Sequence, residues 1–97
     1  MMRIALVDDH AVVREGYRAL LARQRDMQVV AEYGDAGSAY DGLRGNIADI
    51  VVMDLNLPGD SALEVLSRLH TRQPQLVSLV FPVYARAGWA GMAVSAG

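Results

Sequence analysis

The chain has 97 residues, a formal net charge of −2 and 53% hydrophobic residues. This length holds one small domain, and the slightly acidic balance gives no electrostatic case for nucleic-acid binding by this segment. Cysteine is absent, which excludes disulfides and thiolate metal sites. All nine basic residues are arginine. No apolar run is long enough to span a bilayer and the N-terminus does not resemble a signal peptide, so we expect a cytoplasmic domain without membrane attachment.

The first elements are a strand and an amphipathic helix. Residues 1–7 are mostly apolar and read as a strand that ends at Asp8 and Asp9. Apolar residues spaced i, i+4, i+7 and i+8 then predict a helix over 11–23. Gly16 lies inside this helix and lowers its propensity by about 1 kcal/mol relative to alanine, so we expect close packing at that position.

A second strand, a short helix and a third strand follow. The segment 28–33 is more polar and is expected at the edge of the sheet. A short helix is predicted over 38–44, ending at a Gly-Asn pair typical of helix C-termini. Residues 50–53 are four apolar residues without a break, followed by Asp54 and a Pro-Gly turn. Such a run predicts a strand that is buried on both faces, as in parallel sheets.

The last third begins with the most regular helix. Ser61 and Glu64 have the spacing of a capping box, and the apolar positions that follow repeat with helical period until Pro74. A fourth strand is predicted over 76–81. The segment 85–97 has only a weak helical pattern because its glycines lower helix propensity.

Strands that alternate with helices predict a three-layer α/β/α domain with a parallel sheet. Right-handed crossovers place the first and third strands side by side, with their C-terminal ends at one rim. Ligands of open α/β sheets bind at such a rim. We therefore expect Asp8, Asp9 and Asp54 to converge there.

Three convergent carboxylates repel one another unless a proton or a cation neutralises them. An oxygen-only ligand set favours Mg²⁺ over Zn²⁺, and an ion held by two carboxylates keeps open positions for phosphate oxygens. This chemistry suits phosphoryl transfer with one aspartate as a possible nucleophile. A lone histidine at the start of a helix is more often a solvated cap residue than a ligand, and we interpret His10 in this way.

The chain resembles the response-regulator receiver domains of bacterial two-component signalling, in the subfamily that carries a C-terminal helix-turn-helix output domain. The resemblance covers residues 1–97 as one receiver-like domain and implies a flavodoxin-like fold. It rests on three stretches: Val7-Asp8-Asp9-His10, Met53-Asp54-Leu55-Asn56-Leu57-Pro58-Gly59 and Leu63-Glu64-Val65-Leu66.

The resemblance implies a role for each site residue. Asp54 would be the phosphoacceptor for a sensor histidine kinase. Asp9 and Asp54 would bind Mg²⁺ through carboxylate oxygens and Asn56 through its backbone carbonyl, with Asp8 acting through a bound water. Such a domain accepts a phosphoryl group but is not a turnover enzyme, and it regulates transcription through the output domain.

Two departures from the family pattern qualify this expectation. Pro82 stands where receivers carry a Ser or Thr, whose hydrogen bond to the charged phosphoryl group is worth ~1.5–3 kcal/mol. We therefore predict weak coupling between phosphorylation and the segment that follows. The family also continues into a fifth strand bearing a lysine and a fifth helix, whereas this sequence ends at Gly97. We expect strand order 2-1-3-4 without these elements, and a homodimer formed through the exposed edge of the fourth strand or by exchange of the C-terminal segment.

Two other functions stay open. A degenerate receiver could act as a dimerisation or interaction module without phosphorylation, which Pro82 and the missing lysine favour and the intact aspartates disfavour. A Mg²⁺-dependent phosphohydrolase is the third candidate. Those enzymes often place a second acid two residues after the nucleophile, where this chain has Asn56.

Overall fold

In the computed structural model, four parallel strands form the body of a single sheet with the order β2-β1-β3-β4. The structure describes residues 1–55, 57, 62–81 and 93–95. The strands are β1 (Met2–Val7), β2 (Met27–Tyr33), β3 (Ile50–Asp54), β4 (Val77–Phe81) and a short β5 (Ala93–Ser95). The helices within these ranges are α1 (Ala11–Ala22), α2 (Ala36–Leu43) and α3 (Ala62–Arg72).

The predicted parallel order is confirmed, and β2 lies at the edge as its polar composition indicated. The helix α2 begins at Ala36 rather than at the predicted Ser38. The side chain of Asp35 explains this earlier start, because it accepts a hydrogen bond of 2.7 Å from the Ser38 backbone N–H. This bond satisfies one of the N–H groups that a helix leaves unpaired at its first turn.

The outer edge of β4 is the main departure from expectation. We predicted that β4 would be an exposed edge, but β5 pairs with it in antiparallel orientation through Ser78↔Ser95, Leu79↔Val94 and Val80↔Ala93. The weak helical pattern over 85–97 was therefore wrong for 93–95, and its remaining residues lie outside the described ranges. An apolar strand with unpaired N–H and C=O groups gains hydrogen bonds from any extended segment within reach.

The largest apolar cluster fills the space between the sheet and the pair α2 and α3. Alternate residues of the strands point to this side, since side chains of a strand alternate between faces. The cluster is formed by Ala5, Val7, Ala36, Ala39, Leu43, Ala48, Val51, Met53, Ala62, Val65, Leu66, Leu69, Leu76 and Val80. The buried Gln73 adds a polar tie, because its Nε2 donates a hydrogen bond of 2.6 Å to the Leu43 carbonyl at the end of α2.

The opposite face of the sheet is covered less completely. Ile4 and Leu6 of β1 are buried there. In contrast, α1 contains no buried residue along its fully described length, and Leu20 on its apolar face is 57% exposed. The expected close packing at Gly16 was also wrong, because a Cβ built at this position meets no described atom within 4 Å.

The N-terminal ends of three strands are tied together around Asp49. Its carboxylate accepts bonds of 2.8 Å from the Arg3 backbone N–H and 3.0 Å from the Arg3 guanidinium. Its own N–H donates to the Arg3 carbonyl at 2.7 Å, and its carbonyl accepts from the Val77 N–H at 3.1 Å. These bonds fix the relative register of β1, β3 and β4, and so determine which residues meet at the other end of the sheet.

Candidate functional site

The register of β1 and β3 brings two aspartates side by side. Val7 pairs with Met53 across the two parallel strands. Asp8 and Asp54 are the next residues along each strand, so they occupy neighbouring positions at the C-terminal rim. Both are buried, with 3% and 0% of their surface exposed. Carboxylates are rarely buried to this extent unless they are paired or bind a metal.

Asp9 and His10 complete a compact cluster with these aspartates. One potential ligand atom from each of the four residues lies within 4.8 Å of all the others. The predicted convergence of Asp8, Asp9 and Asp54 is therefore present in the structure. The Oδ2 atom of Asp8 is buried and has no hydrogen-bond partner among the described residues. An acceptor left in this way is what a divalent cation, directly or through a bound water, would satisfy.

The ring of His10 lies closer to the acidic cluster than the sequence suggested. His10 is the N-cap residue of α1, but its side chain makes no capping hydrogen bond. Its Nδ1 instead lies 2.9 Å from Asp8 Oδ1 and 2.8 Å from Asp9 Oδ1. The contact with Asp8 and the nearby carboxylate charges raise the pKa of the imidazole. His10 is therefore the exposed cap residue that the sequence indicated, but its ring contacts the two carboxylates instead of capping α1.

Arg14 positions the loop that carries Asp8, a role the sequence did not reveal. Its Nη1 donates a hydrogen bond of 2.6 Å to the Asp8 carbonyl. The backbone N–H of Asp8 in turn donates to the Tyr33 carbonyl at 3.0 Å. Glu32 of β2 holds the arginine, since its Oε1 lies 3.5 Å from Arg14 Nε, and the same carboxylate forms a second ion pair with Arg18.

The charges of the acidic cluster act on Tyr17, although its spacing places it on the apolar face of α1. Burial raises the pKa of its hydroxyl, and the charges of Asp8 and Asp54 raise it further. The hydroxyl therefore stays protonated and lies in the field of the carboxylates. Helical periodicity cannot identify such a residue, because tyrosine counts as apolar in the pattern. Its hydroxyl is nevertheless polar and extends beyond the apolar ring.

Two predicted positions lie outside the described residues. These are Asn56, expected to offer a backbone carbonyl to the metal, and Pro82, expected at the switch position. The described donors by themselves fit a hard divalent cation, because three of the four are carboxylates and the buried acceptor of Asp8 points to a missing positive charge.

In the described part of the chain, no helix is long and apolar enough to cross a membrane.

Comparisons with known proteins agree with the geometry. Residues 4–97 match the family model of the response regulator receiver domain. The oxygen regulatory protein NreC of Staphylococcus haemolyticus (strain JCSC1435) is 39% identical over 84 residues, which cover 86% of this chain and 39% of NreC. The chain thus spans well under half the length of this relative.

Solved structures give the same result. A two-component response regulator of the LuxR family from Aurantimonas sp. SI85-9A1 superposes with a TM-score of 0.79 and 45% identity, covering 87% of this chain and 60% of that one. RcsB from Salmonella enterica serovar Typhimurium, solved bound to promoter rprA in the presence of the phosphomimetic BeF3−, has a TM-score of 0.78 and 25% identity, covering 89% of this chain and 72% of that one. The chain belongs to the response regulator receiver domain family.

Proposed function

We propose that the chain accepts a phosphoryl group on Asp54 from the phosphohistidine of a sensor histidine kinase, as the receiver of a two-component response regulator. One observation supports this above all: a fully buried carboxylate ends β3 with two further carboxylates and an imidazole within 4.8 Å. In this family such a pocket is where phosphoryl transfer takes place. The proposal implies a cytoplasmic location.

Mg²⁺ is the proposed cofactor. Asp9 and Asp54 would hold it through carboxylate oxygens, Asn56 through its backbone carbonyl, and Asp8 through a bound water. When bound, the ion neutralises charge on the transferring phosphoryl group. The described residues support this set because ligand atoms of Asp8, Asp9 and Asp54 lie within 4.8 Å of one another, and Asp8 and Asp54 are buried.

The chemistry of the transfer requires little from the protein beyond position and charge. An Asp54 carboxylate oxygen attacks the phosphorus, a new O–P bond forms, and the N–P bond of the kinase phosphohistidine breaks with its electron pair returning to the imidazole. The product is an acyl phosphate that adds roughly −1.5 to −2 charge at the rim. The Arg14 bond to the Asp8 carbonyl keeps the neighbouring loop in place during this step.

Incubation with acetyl phosphate, followed by intact-mass measurement, tests the proposal. We expect one phosphoryl adduct that requires Mg²⁺ and is absent from Asp54→Asn. Asp41→Asn is the matched control, because it removes one aspartate from an exposed position of α2. Rapid release of phosphate without a persistent adduct would instead support a phosphohydrolase. Absence of any reaction would support a receiver that acts without phosphorylation.

The consequence of phosphorylation is proposed to be weakly coupled to the segment after β4. Pro82 follows β4 directly in the sequence and has neither a hydroxyl nor a backbone N–H to bond the phosphoryl group. Pro82→Thr restores the hydroxyl, and beryllofluoride mimics the phosphoryl group. We expect the fluorescence change of Trp89 on beryllofluoride addition to be larger in Pro82→Thr. A large response in the unmutated chain that Pro82→Thr does not increase would contradict this.

Regulation of transcription is proposed from the relatives, of whose length this chain spans only a part. The support is that RcsB was solved on promoter DNA in the presence of a phosphomimetic, and that a LuxR-family regulator superposes closely. The second candidate, an interaction module that forms a homodimer, is favoured by a different observation. Along α1 no residue is buried, and two large apolar side chains, Val12 and Leu20, are exposed on its surface.

A further inference from the structure

The strand β2 contains a shift in register that determines which way Glu32 points. At Val30 the pairing with β1 moves on by one residue, so Val30 has no partner in β1. Such an extra residue reverses the alternation of side chains along the rest of its strand. Beyond the shift Glu32 pairs with Leu6, which is buried on the α1 face of the sheet. Regular pairing would have turned Glu32 towards α2 and α3 instead.

The redirected carboxylate of Glu32 holds Arg14 of α1. Its Oε1 lies 3.5 Å from Arg14 Nε, and only 24% of the arginine side chain and 23% of the glutamate side chain are exposed. Charges largely removed from water attract each other more strongly than charges on the surface. The far end of the same guanidinium donates its hydrogen bond of 2.6 Å to the Asp8 carbonyl. Arg14 thus connects the edge strand with the turn that carries Asp8 and Asp9.

Gly34, the residue after β2, leaves the space that the Arg14 guanidinium occupies. A Cβ at Gly34 would lie 3.2 Å from Arg14 Nη1, which is closer than ordinary van der Waals contact. Because this Nη1 is the atom that donates to the Asp8 carbonyl, it cannot move away from a Cβ without changing that bond. The end of β2 therefore supplies both the carboxylate that holds Arg14 and the room in which it lies.

We infer that Glu32 is a positioning residue for the acidic pocket, and that it acts through Arg14 on the Asp8–Asp9 turn to set the affinity for Mg²⁺. This inference rests on the proposed function and keeps its cation. Glu32 is not one of the four clustered residues, so its effect passes through the arginine. The carboxylates of Asp8 and Asp9 repel each other without a cation, and a backbone held by Arg14 keeps them together for the ion.

The competing explanation is that Glu32 only docks α1 onto β2. Arg18 separates the two explanations, because it pairs with the same carboxylate while 57% of its side chain is exposed. Within the described ranges, no hydrogen bond joins Arg18 to Asp8. If docking is the whole role, loss of Glu32 or of Arg18 weakens the fold and leaves Mg²⁺ affinity unchanged. A positioning role predicts weaker Mg²⁺ binding on loss of Glu32 and not on loss of Arg18.

The test is calorimetric titration of the full chain with Mg²⁺. We expect Arg14→Ala to weaken binding about tenfold, the lower end of the effect of losing an outer partner of a metal ligand. Glu32→Ala should weaken it severalfold, Glu32→Gln should weaken it less because the amide oxygen still accepts from Arg14, and Arg18→Ala should leave it unchanged. In an Arg14→Ala background, Glu32→Ala should have no further effect, since residues that act through one another are not additive.

Gly34→Ala provides a variant that changes no charge. It should weaken Mg²⁺ binding in the unmutated chain, because its Cβ displaces the Arg14 guanidinium, and have no effect in the Arg14→Ala background. This pair of measurements decides the question even where Glu32→Ala does not fold.

A second readout needs no metal. The Asp8 backbone N–H donates to the Tyr33 carbonyl at 3.0 Å, so its hydrogen exchange reports whether the turn is held. Relative to the amides of β3, exchange at Asp8 should become severalfold faster in Arg14→Ala and Glu32→Ala but not in Arg18→Ala.

Two results would overturn the inference while leaving phosphorylation of Asp54 untouched. One is unchanged Mg²⁺ affinity and unchanged Asp8 exchange in both Arg14→Ala and Glu32→Ala, and the other is equal effects of Glu32→Ala and Arg18→Ala. The expected pattern of Mg²⁺ affinities in a protein that acetyl phosphate does not label would instead overturn the proposed function alone.

Discussion

Among single residues, Asp8 lowers the stability of the fold at the site proposed for phosphoryl transfer. Its carboxylate is buried beside that of Asp54, and its Oδ2 has no hydrogen-bond partner in the described part of the chain. A buried acceptor without a partner costs about 1–3 kcal/mol, and more when it is charged. The proposed Mg²⁺ would cancel this cost when it binds in the pocket.

We therefore predict that Asp8→Asn stabilises the metal-free protein by about 1–3 kcal/mol, because it removes one of two neighbouring buried charges. The same change should reduce stabilisation by Mg²⁺, which reaches about 2.7 kcal/mol when the ion is at 100 times its Kd. Urea denaturation with and without Mg²⁺ measures both effects. Asp41→Asn, at an exposed position of α2, should change neither. An Asp8→Asn protein that is less stable without metal would contradict this account.

The sequence predicted the aspartates of the site but not the residues that hold them. Asp8, Asp9 and Asp54 follow apolar runs, and parallel topology then determines where they meet. Arg14 acts through a contact across the fold, because Glu32 of β2 holds its guanidinium in place. Neither helical periodicity nor local spacing can reveal Glu32 as the partner, because it lies in a separate strand. Only the paired register of the sheet and the packing of α1 beside β2 reveal it.

At the scale of elements, two glycines in helices have opposite structural roles. A Cβ at Gly16 of α1 meets no described atom within 4 Å, whereas a Cβ at Gly42 of α2 would overlap the Tyr33 ring. We predict that Gly16→Ala stabilises the protein by up to about 1 kcal/mol through helix propensity alone. Gly42→Ala should instead destabilise it by about 1–3 kcal/mol, the usual cost of overpacking.

Denaturation of both variants, and of Gly42→Ala in a Tyr33→Ala background, measures these effects. The ring is the obstacle at Gly42, so its removal should restore the stabilising effect of alanine there. Equal effects of the two glycine substitutions in the unmutated background would show that the Tyr33 contact does not restrict α2. The sequence could not distinguish the two positions, because both are glycines inside predicted helices.

Two carboxylates that organise elements make stability depend on pH. Hydrogen bonds from Ser38 hold the pKa of Asp35 below its usual range, and the Arg3 side chain does the same for Asp49. Because the folded-state pKa is below the unfolded value of about 3.9, each contributes stability above that value and loses it as the pH falls through the folded-state pKa.

We predict that Asp35→Asn and Asp49→Asn each flatten the loss of stability in acid. Asparagine still caps a helix, so Asp35→Asn should change the pH dependence with little change in stability at neutral pH. Salt should weaken the Asp49 contribution more, since it includes an exposed ion pair with Arg3. Urea midpoints measured across acidic pH at two salt concentrations provide the test. An unchanged acid slope in both variants would contradict the assignment.

The end of the sheet illustrates the limit of pattern reading at this scale. The parallel strands were predictable because β1, β3 and β4 are runs of mostly apolar residues, β2 is a more polar edge segment, and helices alternate with them. The strand β5 covers only Ala93–Ser95, too short for a periodic pattern, and it pairs through backbone groups. What favours it is the unpaired edge of β4, a property of the assembled sheet and not of the residues 93–95.

At the scale of the whole molecule, the surface that α1 leaves exposed is the remaining basis for a homodimer. A second copy cannot pair with β4 along the residues that already pair with β5. On α1 the exposed Leu20 is accompanied by the exposed Val12, whereas the exposed Leu63 on α3 lies next to Glu64. Leu20 and Leu63 are 57% and 58% exposed, so Leu63 serves as a matched control position for Leu20.

We predict that the chain self-associates at micromolar concentration and that Leu20→Ser weakens this association several-fold, while Leu63→Ser does not. Burial of apolar surface returns roughly 25 cal/mol per Å², so a contiguous patch gains more than an isolated leucine. Sedimentation velocity over a concentration series measures the association. A single monomeric species at all concentrations would rule out the homodimer, and equal effects of the two substitutions would exclude α1 as its surface.

Asp54 is the proposed site of phosphorylation, and mapping the modified residue tests this assignment. The protein is treated with acetyl phosphate and Mg²⁺, the acyl phosphate is reduced with borohydride to a stable alcohol, and peptides are sequenced by mass spectrometry. We expect that the reduced residue is Asp54 and that no modification forms without Mg²⁺. A reduced residue at Asp8 or Asp9, or labelling that persists in Asp54→Asn, would contradict it.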